Sequence, residues 1–252
     1  MPFTLPTDEE KHGFVHAQFE RIARRYDLTN DAISICMHRA WKRRAVDQLL
    51  HKTAQARKER TGRFLDVCCG TGDLALRIAS RLGPEDQVVG LDFSGNMLEV
   101  ARVREASARR DGEIAARLEF VEGDAQNLPF GTDEFDGAII SFGLRNLSDL
   151  DRGLSEMARV VRPGGAVINL DLGKPGGFLF APAFRFYFGN IVPIIGQVLQ
   201  KDRSAYTYLP ESKSTYPDPD EISKRFAGAG LADVRHIALA GGSVALHYGK
   251  VQ

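Results

Sequence analysis

The chain has 252 residues, 43% of them apolar, and 33 Lys plus Arg against 33 Asp plus Glu. That length suits one large α/β domain with an appendage, and the zero net charge argues against a strongly basic nucleic-acid surface. The three cysteines, Cys36, Cys68 and Cys69, have neither redox nor zinc-site spacing, so neither a metal nor a disulfide framework is expected. Met1 to Lys11, with two prolines and three acids, does not read as a signal peptide. The expected location is cytoplasmic.

In chain order, residues 1–12 read as loose. Gly13 to Tyr26 turns helical, with Phe19, Ile22, Ala23 and Tyr26 on one face. Asn30 or Asp31 can cap a short following helix, and His38 to Leu50 reads as another, striped by Trp41, Ala45 and Leu49. Residues 1–60 are therefore expected to form an N-terminal helical cap and linker, with 61–252 as the main domain. The cap is rich in cations, Arg21, Arg24, Arg25, Arg39, Lys42, Arg43 and Arg44. They make either a solvated face or a weak contact with an anionic membrane, worth ~1 kcal/mol per well-placed cation.

The core opens with Arg63–Gly72, RFLDVCCGTG. It reads as a buried strand, a glycine turn at Gly70 and Gly72, and a helix from Asp73 to about Leu82. Strands are expected at Gln87–Asp92, Leu118–Glu122, Phe135–Phe142 and Ala166–Leu172, with helices at Asn96–Arg109 and Asp149–Val161 and a turn at Arg162–Gly165. The alternation implies a parallel sheet with right-handed crossovers, whose ligands bind beyond the strand carboxyl ends. Those ends carry Asp66, Asp92, Asp124, Ser141 and Asp171. An apolar, aromatic insertion spans 173–219; Pro182, Arg185, Asn190, Pro193 and Gln197 interrupt it, which excludes a membrane-spanning helix. It reads as a helix buried against the cap or as a lid over an apolar channel. Ala232–Ala240 and Ser243–Val251 close the sheet.

The glycine turn has two readings. Gly70 to Ala75 fits the dinucleotide fingerprint, with Asp92 as its ribose acid, which would make the chain an NAD-dependent oxidoreductase. Asp66 through Gly72 also fits the D-x-x-x-G-x-G turn of S-adenosylmethionine (SAM) methyltransferases. SAM carries a sulfonium and an ammonium but no pyrophosphate, so Asp66 at the strand end helps it, whereas Asp73 at the helix start would repel a pyrophosphate. A turn made tight only for packing is the remaining alternative.

Four further blocks decide the comparison: RRYDLTNDAIS with HRAWKRR (Arg24–Arg44), ISFGLRNLSDLDRGLSEMARVVRPGG (Ile140–Gly165), DRSAYTYLPES (Asp202–Ser212) and GGSVALHYG (Gly241–Gly249). With these in order from about residue 14 to 250, the chain resembles the ubiquinone/menaquinone biosynthesis C-methyltransferase family (UbiE/MenG). The resemblance implies a class I SAM-dependent methyltransferase fold, Rossmann-like, with a mostly parallel seven-stranded sheet. It implies SAM as cofactor and methylation of a ring carbon on a polyprenylated quinol. Thr71, Asp92, Asp124, Ala125 and Ser141 match the family's SAM contacts, and Asp66, Gly70 and Gly72 its generic turn. Cys68-Cys69 stands where many members have small residues. The acceptor is expected to be demethylmenaquinol, with a ubiquinone-pathway benzoquinol, or both, left open. A noncatalytic SAM-fold subunit of a quinone-biosynthesis complex is a third reading.

The ring carbon becomes nucleophilic when a quinol hydroxyl, of pKa near ~10, loses or shares its proton. Arg145 and Asn146, just past the fourth strand, are the candidates for that step. A guanidinium stays protonated to about pH 12, so Arg145 is assigned to stabilising the phenolate, through a water that takes the proton, and Asn146 to holding the second quinol oxygen. A salt-bridged loop arginine is the plainer alternative. Tyr26, His38, Tyr187, Asp202, Tyr206 and His247 form a weaker set. The prenyl tail accounts for the apolar insertion and implies peripheral membrane contact; a homodimer is the remaining partner expectation.

Overall fold

The computed structural model describes residues 8–23, 26–55, 60–200 and 216–252. Its centre is a seven-stranded sheet: β1 (Arg63–Val67), β2 (Gln87–Asp92), β3 (Arg117–Glu122), β4 (Phe135–Ser141), β5 (Val161–Leu172), β6 (Leu231–Leu239) and β7 (Val244–Val251), in the order β3-β2-β1-β4-β5-β7-β6. β7 alone runs against its neighbours, antiparallel to both β5 and β6. The chain order reverses between β1 and β4, the switch point at which such sheets leave a crevice beyond their carboxyl ends.

Both faces of the sheet are covered, which is why its inner strands are apolar without alternation. Leu65, Val67 and Ile140 face one core with α6 (Leu150–Val160) and α9 (Pro219–Gly228); Phe64, Ile139 and Ile168 face the other with α3 (Met37–Thr53) and α4 (Asp73–Ala79). Ala45, Val46 and Leu49 of α3 are fully part of the second core, so the third N-terminal helix belongs to the sheet packing rather than to a separate cap. α1 (Asp8–Ile22) and α2 (Tyr26–Ser34) lie at the ligand end, and α5 (Gly95–Arg110) packs on β3.

Several boundaries differ from the sequence reading. α1 begins at Asp8, inside the stretch expected to be loose. The expected turn at residues 162–165 lies within β5 as a bulge: Val161 pairs with Phe135 and Ala166 with Gly137, and Gly164 takes φ +85°. The insertion forms α7 (Phe180–Phe186), a π-turn (Tyr187–Ile191) and α8 (Val192–Gln200). α7 buries none of its residues, so the expectation of one helix buried against the cap does not hold there. α9 escaped the sequence reading although Asp218 before Pro219 is a helix-start signal; the Asp218 carboxylate accepts from Glu221 N at 2.9 Å. The block Asp202–Ser212, with Asp202 and Tyr206, lies outside the described residues, as do Arg24 and Arg25.

α3 sits so close to β4 that a Cβ on Gly137 would come 2.7 Å from Leu49 Cδ1 and 3.1 Å from Thr53 Cγ2. Gly137→Val therefore wedges helix from sheet and is expected to destabilise the fold by about 1–3 kcal/mol, measured as a lower urea midpoint with an unchanged slope.

Candidate active site

The β1–α4 turn is built from left-handed backbone: Cys68 at φ +54°, Gly70 at +55° and Gly72 at +76°. Asp92, at the end of β2, holds it in place. Its Oδ2 accepts from Gly70 N at 2.8 Å and its Oδ1 from Ser94 N at 3.0 Å. Burial pushes this carboxyl up to about 6, against the backbone donors that lower it. Gly72 must be glycine twice over, because a Cβ there would also meet Phe120 Cζ at 2.9 Å.

Asp66 points under the turn. Its Oδ2 accepts from Ala75 N at 2.9 Å, which caps α4 where Gly72 supplies no side chain. Its Oδ1 is buried and has no hydrogen-bond partner. Burial pushes the carboxyl up to about 8, although the Lys42 charge pulls it down. Thr71 is buried, its Oγ1 donating to Asp27 at 2.9 Å, with Arg104 donating to the Thr71 carbonyl at 3.1 Å. Asp73, the acid that disfavours a pyrophosphate, pairs with Lys42 and Arg77, each at 3.0 Å. Burial alone would raise its carboxyl, but the Lys42, Arg77 and Arg104 charges outweigh it and hold it at about 2. Lys42 is thus a buried partner of Asp73, not one of the surface cations expected of the cap.

Beyond β3 a narrow cleft of about 30 Å³ runs past Cys68, Phe93, Asp124, Ala125 and Asn146, with Val15 of α1 on its far side. Asp124 Oδ1 accepts from Gln126 N at 2.9 Å. α1 is fastened over this cleft by Glu20, whose Oε1 accepts from Ser94 Oγ at 2.5 Å and Asn96 N at 3.2 Å, and by edge contacts of His16 and Phe19 with Phe93. The cleft has room for about one water.

The second cavity is of another kind. It measures about 590 Å³ and is walled mainly by apolar side chains of α2, α3, α7 and the π-turn, among them Ile33, Trp41, Phe184 and Phe188. At its floor are Ser141, Phe142 and Arg145. Ser141 Oγ is buried without a hydrogen-bond partner, and Phe142 is held at φ +55°, strained for a bulky residue, by its N–H to Leu170 O at 2.7 Å. Arg145 forms a buried pair with Asp171, Nη1 to Oδ1 at 2.6 Å, while its N–H reaches Oδ2 at 3.2 Å. Tyr26, His38 and Tyr187 also line this cavity.

The strand-end constellation therefore divides. Gly70, Thr71, Gly72 and Asp92 shape the turn, Asp124 and Ala125 the cleft, and Asp66 the underside of α4, while Ser141 and the Arg145–Asp171 pair sit at the apolar cavity. Asn146 does not join Arg145 there: it lines the narrow cleft and its Nδ2 donates to Phe142 O at 3.2 Å. A 3₁₀ turn over Leu144–Asn146 sends consecutive side chains to different cavities, so holding a quinol oxygen does not fit Asn146. His247 lies mid-strand on β7 opposite Asn169, its Nε2 on Pro219 O at 3.0 Å; burial lowers it to about 4, and it is a packing residue. Sequence reasoning missed Asp27, Arg104 and Glu20, which reach the turn and cleft from α2, α5 and α1; Asp27 lies within the RRYDLTNDAIS block, while no motif marks Arg104 or Glu20.

A doubly wound sheet with one reversed strand, a D-x-x-x-G-x-G turn at the switch point and an acid ending β2 defines a class I SAM-dependent methyltransferase. The partnerless Asp66 Oδ1 and Ser141 Oγ are polar capacity that SAM's charged end can use, so the residues fit the cofactor. The family model for the ubiE/COQ5 methyltransferase family matches residues 6–251, and the chain belongs to that family. A relative from Desulfitobacterium hafniense (strain Y51), named demethylmenaquinone methyltransferase, is 39% identical over 96% of this chain and 91% of its own length. One of the same name from Halalkalibacterium halodurans is 37% identical over 96% and 94%. Among solved structures, a SAM-dependent methyltransferase from Thermotoga maritima, titled a possible histamine N-methyltransferase, covers 94% of this chain and 99% of its own at TM-score 0.60 and 18% identity; that likeness is one of fold alone.

Asp66 keeps its proton to about pH 8, and a cation docking nearby favours the ionised carboxylate. SAM binding at pH 7 is therefore expected to release protons, and its affinity to rise from about pH 6 to pH 8. Calorimetry in two buffers of different ionisation enthalpy reads the release, and Asp66→Asn should remove it.

Proposed function

We propose that this chain transfers the SAM methyl group to a ring carbon of a polyprenylated quinol, converting demethylmenaquinol to menaquinol. The observation that carries the reading is the apolar cavity of about 590 Å³ with Ser141 and Arg145 in its lining, at and just past the end of β4 where that strand pairs with β1. Such a volume is that of a small-molecule pocket, about 300–1,000 Å³. Its apolar walls suit a prenyl tail, each buried methylene contributing about 0.8 kcal/mol. The relatives' shared name supports the naphthoquinol acceptor.

SAM supplies a methyl already activated on a sulfonium. What remains for the protein is to exclude water, align donor and acceptor, and stabilise charge on the acceptor oxygen. Arg145 suits the last of these roles. A guanidinium cannot take up a proton in a protein, but held by Asp171 it presents positive charge at the cavity floor. The test is methyl transfer from labelled SAM to reduced prenyl naphthoquinol and to demethylated benzoquinol, side by side. Label in the naphthoquinol supports the reading, label in the benzoquinol alone redirects it to the ubiquinone pathway, and label in neither overturns it. Arg145→Lys, which keeps Asp171 paired, is expected to bind SAM as wild type does and lose at least about tenfold in kcat. Arg145→Ala also strands a buried carboxylate, costing about 3–5 kcal/mol, visible in thermal unfolding.

The quinol's tail lies in a bilayer, so we also propose peripheral membrane contact at the cavity mouth. Among the described residues no helix is long and apolar enough to cross a membrane. Ile35 and Met37 of the cavity lining and Phe178, Leu179, Phe186 and Ile194 of the insertion are, however, exposed, with Arg43 and Arg44 on α3 and Arg185 on α7. That combination suits an anionic interface. The protein is expected to sediment with phosphatidylglycerol vesicles, less so at high salt, and Phe178→Asp with Leu179→Asp should abolish it.

A further inference from the structure

Methyl transfer to a quinol ring carbon releases a proton, and Arg145 cannot receive it. Across the cavity from the strand ends, α2 and α3 bring Ser34 and His38 together. Both line the cavity. Ser34 Oγ lies 2.7 Å from His38 Nδ1 and donates to Asn30 O, also at 2.7 Å; on the far side of the ring Nε2 lies 3.8 Å from Asp31 Oδ1, whose carboxylate Arg39 holds. By its charge alone the Asp31 carboxylate favours a proton on Nε2; once the Ser34 hydroxyl turns from Asn30 O, its proton can reach the Nδ1 lone pair. Serine, histidine and aspartate thus stand in line, with the serine at the cavity.

We propose that Ser34 and His38 are the proton acceptor for the quinol hydroxyl. The hydroxyl O–H breaks and its proton passes to Ser34 Oγ as the Ser34 proton moves to His38 Nδ1; the electron pair stays on the quinol oxygen, opposite the Arg145 charge. Once the ring carbon carries the methyl group, it gives up its own hydrogen as a proton to water, the ring regains its aromatic electrons, and His38 returns its proton through Ser34 to the oxygen. One proton is released to water per methyl transferred. Asp31 serves the imidazolium stage, when the ring carries a positive charge.

The surroundings keep the imidazole neutral between turnovers. His38 is buried, and that burial, followed by the Lys42 charge, lowers it below the usual histidine range; Asp31 and Asp73 oppose the shift and Arg39 adds to it. Lys42 is itself held by Asp73 at 3.0 Å and Arg39 by Asp31 at 2.5 Å. The acceptor is therefore in its working, unprotonated form at neutral pH, and activity should fall only as acid protonates it. The cavity supplies a further constraint: Tyr187, which could compete as an acid–base group, is tied by its hydroxyl to Ile33 O at 2.9 Å, and burial raises it above the usual tyrosine range.

This inference rests on the quinol reading, and one experiment separates the two. kcat for methyl transfer to reduced prenyl naphthoquinol is measured from about pH 5 to pH 9 for wild type, His38→Gln and Ser34→Ala, with SAM affinity by calorimetry and folding by thermal unfolding. The wild type should show an acid limb with a midpoint below that of ordinary histidine, near ~6.5. His38→Gln should bind SAM normally, lose about 10²-fold or more in kcat and lose the acid limb. Added imidazole should restore part of the rate to His38→Ala. Ser34→Ala should lower kcat less and keep the limb, because water can replace the hydroxyl. A folded His38→Gln protein with near-wild-type kcat and an unchanged acid limb would overturn the inference and leave the quinol reading standing; should His38→Gln not fold, a wild-type enzyme whose kcat shows no acid limb would overturn it equally. A wild-type enzyme that labels no quinol would overturn both.

Discussion

Everything at the ligand end hangs on the Asp92 carboxylate. One of its oxygens fixes Gly70 N, in the turn after β1, and the other fixes Ser94 N, at the start of α5. Two loops from neighbouring strands are thereby locked to each other by a single side chain. The lock carries a cost, seen in the rise of this carboxyl to about 6 on burial, and the turn it holds has left-handed backbone at Cys68 as well as at the glycines.

The same end of the sheet separates two chemistries within a few residues. On the β1–β3 side the space is narrow, with Asp124, Gln126 and Asn146 set among Val15, Phe93 and Leu147; on the β4–β5 side the walls are apolar and the space is wide. Ser141, Phe142 and Arg145 stand on the boundary. The strain at Phe142 and the close approach of Gly143, where a Cβ would lie 2.7 Å from Cys68 Cβ, show how tightly the two sides are pressed together.

Charge is handled by burial in pairs. Arg145 with Asp171 and Lys42 with Asp73 are both largely withdrawn from water, where removing either partner costs more than the pair contributes. Lys42 links α3 to the start of α4 next to the SAM turn, and Thr71, Asp27 and Arg104 link α2 to the same turn. The N-terminal helices are thus tied to the cofactor loop by hydrogen bonds and not only by apolar contact, which couples the wall of the acceptor cavity to the cofactor turn.

Sequence determined the sheet, because strands covered on both faces must be largely continuous apolar runs, and Phe64 to Val67, Val88 to Leu91 and Phe135 to Ile140 have that character, broken only by Asp66 and Asp136. Glycines and strand-end acids mark a switch point by local chemistry, and the family resemblance carried the rest of the site list. Tertiary structure alone decided what each residue does there. Asp66 and Asp92 look alike in sequence, yet one turns under α4 and the other holds the loops. Arg145 and Asn146 are neighbours in sequence, yet a 3₁₀ turn sends them to separate cavities. Ser34 and His38 are four apart, a helical spacing, but Ile35 and Cys36 at positive φ break the helix between them, so no periodic rule could have paired them. Local propensity acts over a few residues; which side chains face one another across a cavity depends on the packing of helices that are distant in the chain.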